Sequence, residues 1–212
     1  MTKAVIFDFD YTLGDSTAGI ALSINYALER LGFKQRSIPE IRKTVGLSLK
    51  NTFIALTSET ERAEKFTELF RGKADEVMTA NTVLYPDTMK VLESLRERGF
   101  KIGIVTTKFR YRIEQILKKF GAEELIDVII GAEDVKAEKP SPEGLLAAIS
   151  RLGADRVLYV GDSLVDAETA ENAHVEFAAV LTGATSKADF EKHSRVFIAE
   201  NLTELSDYGI AD

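Results

Sequence analysis

Residues 3–16, KAVIFDFDYTLGDS, constrain the fold of this chain more than any other stretch. Four apolar residues, 4–7, run into Asp8, with Asp10 two positions on and Thr12 after it. A short apolar run bounded by polar turn residues is the pattern of a buried strand. Carboxylates at the end of such a strand are costly unless something pairs with them. Side chains alternate along a strand, so Asp8 and Asp10 can point to the same side. Two like charges held that close favour a hard divalent ion with oxygen ligands. The same residues also fit two solvated acids in a strand-to-helix turn, and this stretch alone does not choose between the two.

Composition narrows the field. The chain has 212 residues, 45% apolar and 29% charged, which suits one large domain or a domain carrying an insertion. No apolar run approaches the ~18 residues that cross a bilayer, so no membrane partner is expected. The chain starts Met1-Thr2-Lys3 and enters the strand at once, so no cleaved leader is expected. The absence of cysteine excludes disulfides and thiolate zinc sites and fits a cytoplasmic location. His174 and His193 stand apart, without metal-ligand spacing. A net charge of −7 argues against a nucleic-acid surface. An anionic substrate would need a local positive field from a metal ion, a lysine or helix N-termini.

After Ser16, the apolar residues Ile20, Ile24, Ala27, Leu28 and Leu31 recur at helical spacing, with Gly32 placed to end the helix. Residues 38–80 stay helical in character: Ile41 and Val45 share one face, and Phe66, Leu69, Phe70 and Val77 another. From Thr82 the pattern becomes alternating. Expected helices carry Val91, Leu92 and Leu95, then Ile113, Ile116, Leu117 and Phe120, then 145–152 behind Ser141-Pro142. Expected strands lie at 101–105, 128–130, 156–160, 177–181 and 196–198. Strands alternating with helices mean an α/β fold, a doubly wound parallel sheet. The expected division is a core of residues 1–15 and 82–212 with an α-helical cap at 16–81.

In such a sheet, ligands bind beyond the carboxyl ends of the strands. Those ends carry Asp8 and Asp10, Thr106-Thr107, and Gly161-Asp162 with Asp166 four residues on; Lys139-Pro140 sits in a loop before a helix. A carboxylate can attack a phosphoryl group, given a divalent ion and a lysine to compensate charge. A threonine hydroxyl and backbone N–H groups can hold a phosphoryl oxygen, and a second carboxylate can protonate the leaving alkoxide. Each piece has an ordinary reading as well. Thr106 can simply finish a strand, Lys139 can be a surface lysine, and Lys108 is expected to be exposed. Ser163 with Asp166 fits a helix capping box, which needs no metal. Four polar strand or loop ends in this order are harder to explain separately.

DFDYT, Thr106, Lys139-Pro140 and GDSLVD resemble the four ordered motifs of the haloacid dehalogenase-like hydrolases, and the likeness covers the whole chain, helical cap included. VTTK and KPSPE are most similar to the phosphoglycolate phosphatase group. The resemblance implies a Rossmann-like core with Asp8 as nucleophile and Asp10 as general acid/base. It implies phosphoryl binding by Thr106 and Lys139, with Thr107 beside them. It implies Mg²⁺ on Asp8, the main-chain carbonyl of Asp10, and Asp162, with Asp166 in support. Two departures touch the substrate: Tyr11 stands where the family usually has Gly, and Thr107 where it usually has Asn. Tyr11 and Lys50, the latter in a cap segment GLSLK resembling a substrate-facing loop, are candidates for reading the rest of the substrate. Asp10 sets the chain apart from true dehalogenases, which lack that carboxylate.

The expected function is therefore Mg²⁺-dependent hydrolysis of a small phosphomonoester, phosphoglycolate or similar, with a small phosphorylated metabolite as partner. Alternatives are a pyrophosphatase, a nucleotidase or a β-phosphoglucomutase-like enzyme. The last is disfavoured because the mutases usually place an arginine nearest Leu49, although Lys50 is a possible substitute. A receiver-type signalling domain also groups acids, a Thr/Ser and a Lys-Pro, but lacks the helical insertion and the later acidic motif. A non-catalytic binding module is a further alternative. Both a monomer and a homodimer fit the sequence.

Overall fold

The computed structural model describes residues 1–193 and 196–207. The chain divides into two compact units, one made of Met1–Gly14 with the chain from Leu84 on, the other of Asp15–Val83. In chain order, β1 (Lys3–Phe7) and the short β2 (Gly14–Asp15) come first. Four helices follow: α1 (Thr17–Arg30), α2 (Ile38–Arg42), α3 (Leu49–Thr57) and α4 (Ala63–Val77). Next are β3 (Val83–Leu84), which pairs with β2, α5 (Thr88–Glu97), β4 (Lys101–Val105) and α6 (Arg110–Phe120). Then come β5 (Val128–Ile130), α7 (Glu143–Leu152), β6 (Arg156–Gly161) and α8 (Leu164–Ala173). The last elements are β7 (Glu176–Val180), α9 (Lys187–Phe190), β8 (Val196–Ala199) and α10 (Leu202–Asp207).

The first unit holds a six-stranded sheet in the order β5-β4-β1-β6-β7-β8, parallel at every pairing. β1 lies inside it, with Val5 level with Ile102 on one side and Leu158 on the other. The strands read as unbroken apolar runs because both faces are covered. Val5, Phe7, Ile102, Ile104, Val160, Ala178 and Val180 pack on one face with residues of α5, α6 and α10. The alternate residues Ile6, Val105, Tyr159, Phe177 and Ala179 pack on the other with residues of α7, α8 and α9. Burying a side chain such as Phe7 contributes about 2 kcal/mol, so a one-residue slip, which reverses the faces of every residue, is strongly disfavoured. The strand order reverses direction beside β1, and this switch point is where α/β sheets build their sites.

The second unit is helical. Ile20, Ile24, Ala27 and Leu28 of α1 share a core with Phe66, Phe70 and Ala74 of α4. Phe33, Phe53, Phe66 and Phe70 form a chain of rings with centroids 5.5, 5.0 and 6.3 Å apart. Leu69 and Val77, expected on the buried face, are only half-buried. Val45 does not continue the helix of Ile41: α2 stops at Arg42, and Gly46 follows at φ 93°. Ser58 ends α3 in the left-handed conformation, and the helical stretch from Ile38 to Val77 comprises α2, α3 and α4.

Candidate active site

Asp8 is the first residue beyond β1, and its N–H donates to the Val160 carbonyl at 2.8 Å, so the strand ladder itself places the carboxyl. A tight turn then brings Asp10 back. The N–H groups of Thr12, Leu13 and Gly14 all donate to the Phe9 carbonyl, and that of Tyr11 to the Gly14 carbonyl. The turn requires a left-handed residue, and Tyr11 supplies it at φ 61°. A non-glycine residue there costs about 1–2 kcal/mol. Two features offset the cost: the Tyr11 ring is only 1% exposed, and the Thr182 hydroxyl beyond β7 donates to the Tyr11 carbonyl.

The other strand ends converge on the same edge. Thr106, just past β4, donates its N–H to the Ile130 carbonyl, and its Oγ1 accepts the Lys108 N–H at 3.2 Å. Thr107 lies half-buried in a cleft also lined by Thr106, Gly131 and Lys139. Asp162 follows β6, and Thr12 donates to its Oδ1 at 3.4 Å. Carboxylate oxygens of Asp8, Asp162 and Asp166 lie within 4.8 Å of one another, all three residues buried. The lysine of the Lys139-Pro140 loop reaches into this group, with Nζ 3.0 Å from Asp8 Oδ1 and 2.6 Å from Asp166 Oδ1.

Asp166 forms the capping box that its spacing suggested and also reaches the lysine loop. At the start of α8, its Oδ2 accepts the Ser163 hydroxyl at 2.5 Å and the Ser163 N–H at 3.2 Å, a capping box. Its Oδ1 accepts Lys139 and the Tyr159 hydroxyl at 2.8 Å. Both oxygens are thus engaged, which suits a carboxylate that holds its neighbours.

Lys50 belongs to the helical unit. It sits on the first turn of α3, and its exposed ammonium pairs with Glu64 at 2.5 Å. His174 is the left-handed residue ending α8, and His193 faces Glu171 at 3.8 Å.

Three participants escape a reading of the sequence. Lys108, expected at the surface, is buried, with Nζ 2.9 Å from Asp10 Oδ2. The buried Asp10 carboxylate needs a counter-charge, and the turn after Thr106 brings one in. Tyr159 reads as a core aromatic of a strand, yet its hydroxyl reaches Asp166. Gly183 reads as a loop glycine, but a Cβ there would stand 1.9 Å from Asp162 Oδ2; one at Gly161 would stand 2.5 Å from Asp166 Cβ. Both glycines make room for acidic side chains.

The electrostatics fit a divalent cation. Four carboxylates, Asp8, Asp10, Asp162 and Asp166, face two ammonium groups, Lys108 and Lys139. Fully ionised, the group carries two more negative than positive charges, the charge of one divalent ion. Among the described residues, Asp8 Oδ1 and Asp10 Oδ1 are buried without a hydrogen-bond partner, and the Lys139 ammonium lies 3.0 Å from the first. Burial pushes Asp8 up to about 7; Lys139 pulls against the shift, and Asp166 and Asp10 add to it. Burial, with Asp166 and Asp8 close by, also pushes Asp162 well above the usual carboxylate range. Burial works against the charge on Lys139, but Asp166 and Asp8 outweigh it and hold the ammonium well above its ordinary value. The result is a permanent cation beside acids that lack enough positive charge.

The chain has relatives among known proteins. The chain is 32% identical over 206 residues to pyrophosphatase PpaX of Bacillus pumilus, covering 96% of this chain and 94% of that one. It is 36% identical over 185 residues to a phosphoglycolate phosphatase of Cereibacter sphaeroides, covering 84% and 85%. A crystal structure from Bacteroides fragilis, described as a haloacid dehalogenase-like hydrolase, matches with TM-score 0.93 at 42% identity over 97% of this chain and 100% of that one. The family model of haloacid dehalogenase-like hydrolases matches residues 5–180, from the middle of β1 to the end of β7. Strand β8 lies beyond that match, the strand-end acids and the lysine loop fall within it, and the chain belongs to the haloacid dehalogenase-like hydrolases.

Proposed function

We propose that the chain is a Mg²⁺-dependent phosphatase that releases phosphate from a small phosphomonoester, phosphoglycolate or a close relative, through an aspartyl-phosphate on Asp8. The chain is a phosphate-ester hydrolase of its family. The observation that carries the finer reading is the buried Asp8 carboxylate, one oxygen without a hydrogen-bond partner and the Lys139 ammonium 3.0 Å away.

In this reading an Asp8 oxygen attacks phosphorus. The bond to the leaving oxygen breaks as Asp10 gives that oxygen a proton. Water then attacks the phosphorus of the aspartyl-phosphate and passes a proton to Asp10, and Asp8 is released. Lys139 holds the phosphoryl oxygens by charge. Thr106 accepts the Lys108 N–H with its oxygen, which leaves its own O–H to donate. A Mg²⁺ on Asp8, the carbonyl of Asp10 and Asp162, with Asp166 behind them, would supply the charge that lets an anion approach an anion. Choice among leaving groups is assigned to the helical insert, with Lys50 as a cation for an acidic tail, whereas the buried Tyr11 ring acts through the turn that places Asp10. A cytoplasmic location is part of this reading, on the cysteine-free composition; no described helix is long and apolar enough to cross a membrane.

The test is a panel of phosphorylated metabolites assayed for released phosphate with Mg²⁺. Release from one or a few small monoesters, lost on chelation, is expected. Folded protein that releases phosphate from none of them would overturn the proposal. A second reading, hydrolysis of inorganic pyrophosphate, is favoured by the likeness to pyrophosphatase PpaX, and inclusion of pyrophosphate in the panel decides it.

A further inference from the structure

We propose that Lys108 is the positioning residue of the acid–base carboxylate: it holds Asp10 by Oδ2, so that Oδ1 is the oxygen that gives and takes the proton. The inference rests on the phosphatase reading above and deepens it.

The geometry is specific. Lys108 Nζ lies 2.9 Å from Asp10 Oδ2, with the two side chains 5% and 10% exposed. Asp10 Oδ1 is buried and has no hydrogen-bond partner among the described residues. Both ends of the pair are fixed by backbone. The Lys108 N–H donates to Thr106 Oγ1, and its carbonyl accepts the Ala132 N–H at 3.1 Å. Asp10 sits in the turn closed on the Phe9 carbonyl. An ammonium only donates, so the Asp10 Oδ2 facing it must accept, and a proton carried by the carboxyl sits on Oδ1. A charge-assisted bond at one carboxyl oxygen orients the group and leaves the other oxygen for chemistry. Burying a lysine is costly, so a solvated cation would be the cheaper neighbour if no orientation were required.

The proton balance is closed by Asp10 alone. Its Oδ1–H passes to the leaving oxygen as the P–O bond breaks and the Asp8–phosphorus bond forms. When water attacks phosphorus and the Asp8–phosphorus bond breaks, the proton from water returns to Oδ1. Lys108 exchanges no proton in either step.

The experiment measures kcat and KM for aryl phosphates from p-nitrophenyl to p-methoxyphenyl phosphate, with Mg²⁺. The variants are Lys108→Met, Lys108→Gln and Asp10→Ala, each checked for fold by circular dichroism. A good leaving group departs without a proton, whereas a poor one needs it. Lys108→Met is expected to lose about a hundredfold in kcat on the p-methoxyphenyl ester but less than about tenfold on the p-nitrophenyl ester, with KM nearly unchanged. Lys108→Gln, which keeps a donor, is expected to recover part of the loss. Equal losses across the series, or a rise in KM alone, would overturn the assignment, since a structural or phosphate-binding lysine would act that way. If Lys108→Met does not fold, the slope of kcat against leaving group in Lys108→Gln decides by the same criterion. Asp10→Ala separates the two levels. A flat series in that variant removes the acid assignment itself, whereas a steep series there with a wild-type-like series at Lys108→Gln and Lys108→Met removes only the role of Lys108.

Discussion

The ammonium of Lys139 stands 3.0 Å from Oδ1 of Asp8, a buried oxygen with no other partner among the described residues. The same nitrogen is bonded to Asp166 at 2.6 Å and to the Tyr159 hydroxyl at 3.2 Å. Asp166 and Tyr159 thus hold the ammonium beside the Asp8 carboxylate as a fixed charge.

Lys139→Met should accordingly cost both chemistry and stability. Loss of one fixed charge aimed at a reacting anion is worth about 10²–10³ in kcat. Breaking a buried ion pair from one side costs about 3–5 kcal/mol, because the acids left behind remain buried. Steady-state kinetics and thermal unfolding of the purified variant check both. A variant as stable as wild type with full turnover would remove Lys139 from the site.

Stabilisation by Mg²⁺ should grow with pH. In the ion-free fold, burial, opposed by Lys139 and aided by Asp166 and Asp10, raises Asp8 from 3.8 to about 7. Between those values the folded chain holds a proton that the unfolded chain has lost, so this contribution to stability falls as pH rises. Asp162 is shifted in the same direction. A bound cation that favours the ionised acids cancels the loss. The increase in Tm on adding Mg²⁺ should therefore be larger at about pH 7.5 than at about pH 5, groups outside the site cancelling in the difference. An increment that stays constant or shrinks would contradict the cation site.

Tyr11 offers a purely conformational test. Its ring is buried and its backbone is left-handed at φ 61°. Tyr11→Ala keeps the strained backbone and deletes the ring, at a cost of about 3–5 kcal/mol. Tyr11→Gly deletes the ring but relieves the strain, and should be about 1 kcal/mol more stable than the alanine variant. Urea unfolding of the two variants reads the difference. An alanine variant equal to or more stable than the glycine variant would mean that the turn does not hold this conformation in solution.

The sheet was legible because its strands are buried on both faces, and so are written as plain apolar runs such as residues 4–7 and 102–105. Asp8, Asp10, Thr106, Lys139, Asp162 and Asp166 were legible by their order at strand and loop ends. Lys108 was not, because a lysine following two threonines looks solvated until the sheet brings Asp10 beside it. Tyr159 was hidden by its ring, which is an ordinary core residue; only its hydroxyl takes part. Gly183 was hidden because what matters there is the missing Cβ beside Asp162, a neighbour in space and not in sequence. Val45 packs on the same core as Ile41 even though α2 stops at Arg42 and Gly46 turns the backbone.

The central claim is a covalent intermediate on Asp8. The most direct measurement is an acid quench of enzyme turning over a phosphomonoester with Mg²⁺, followed by peptide mapping for acyl-phosphate. The account predicts phosphate on the peptide carrying Asp8, present during turnover, discharged when substrate is exhausted, and absent from a folded, inactive Asp8→Asn. Turnover of the same substrate by Asp8→Asn at a rate near wild type, or phosphate trapped on a different residue, would contradict it.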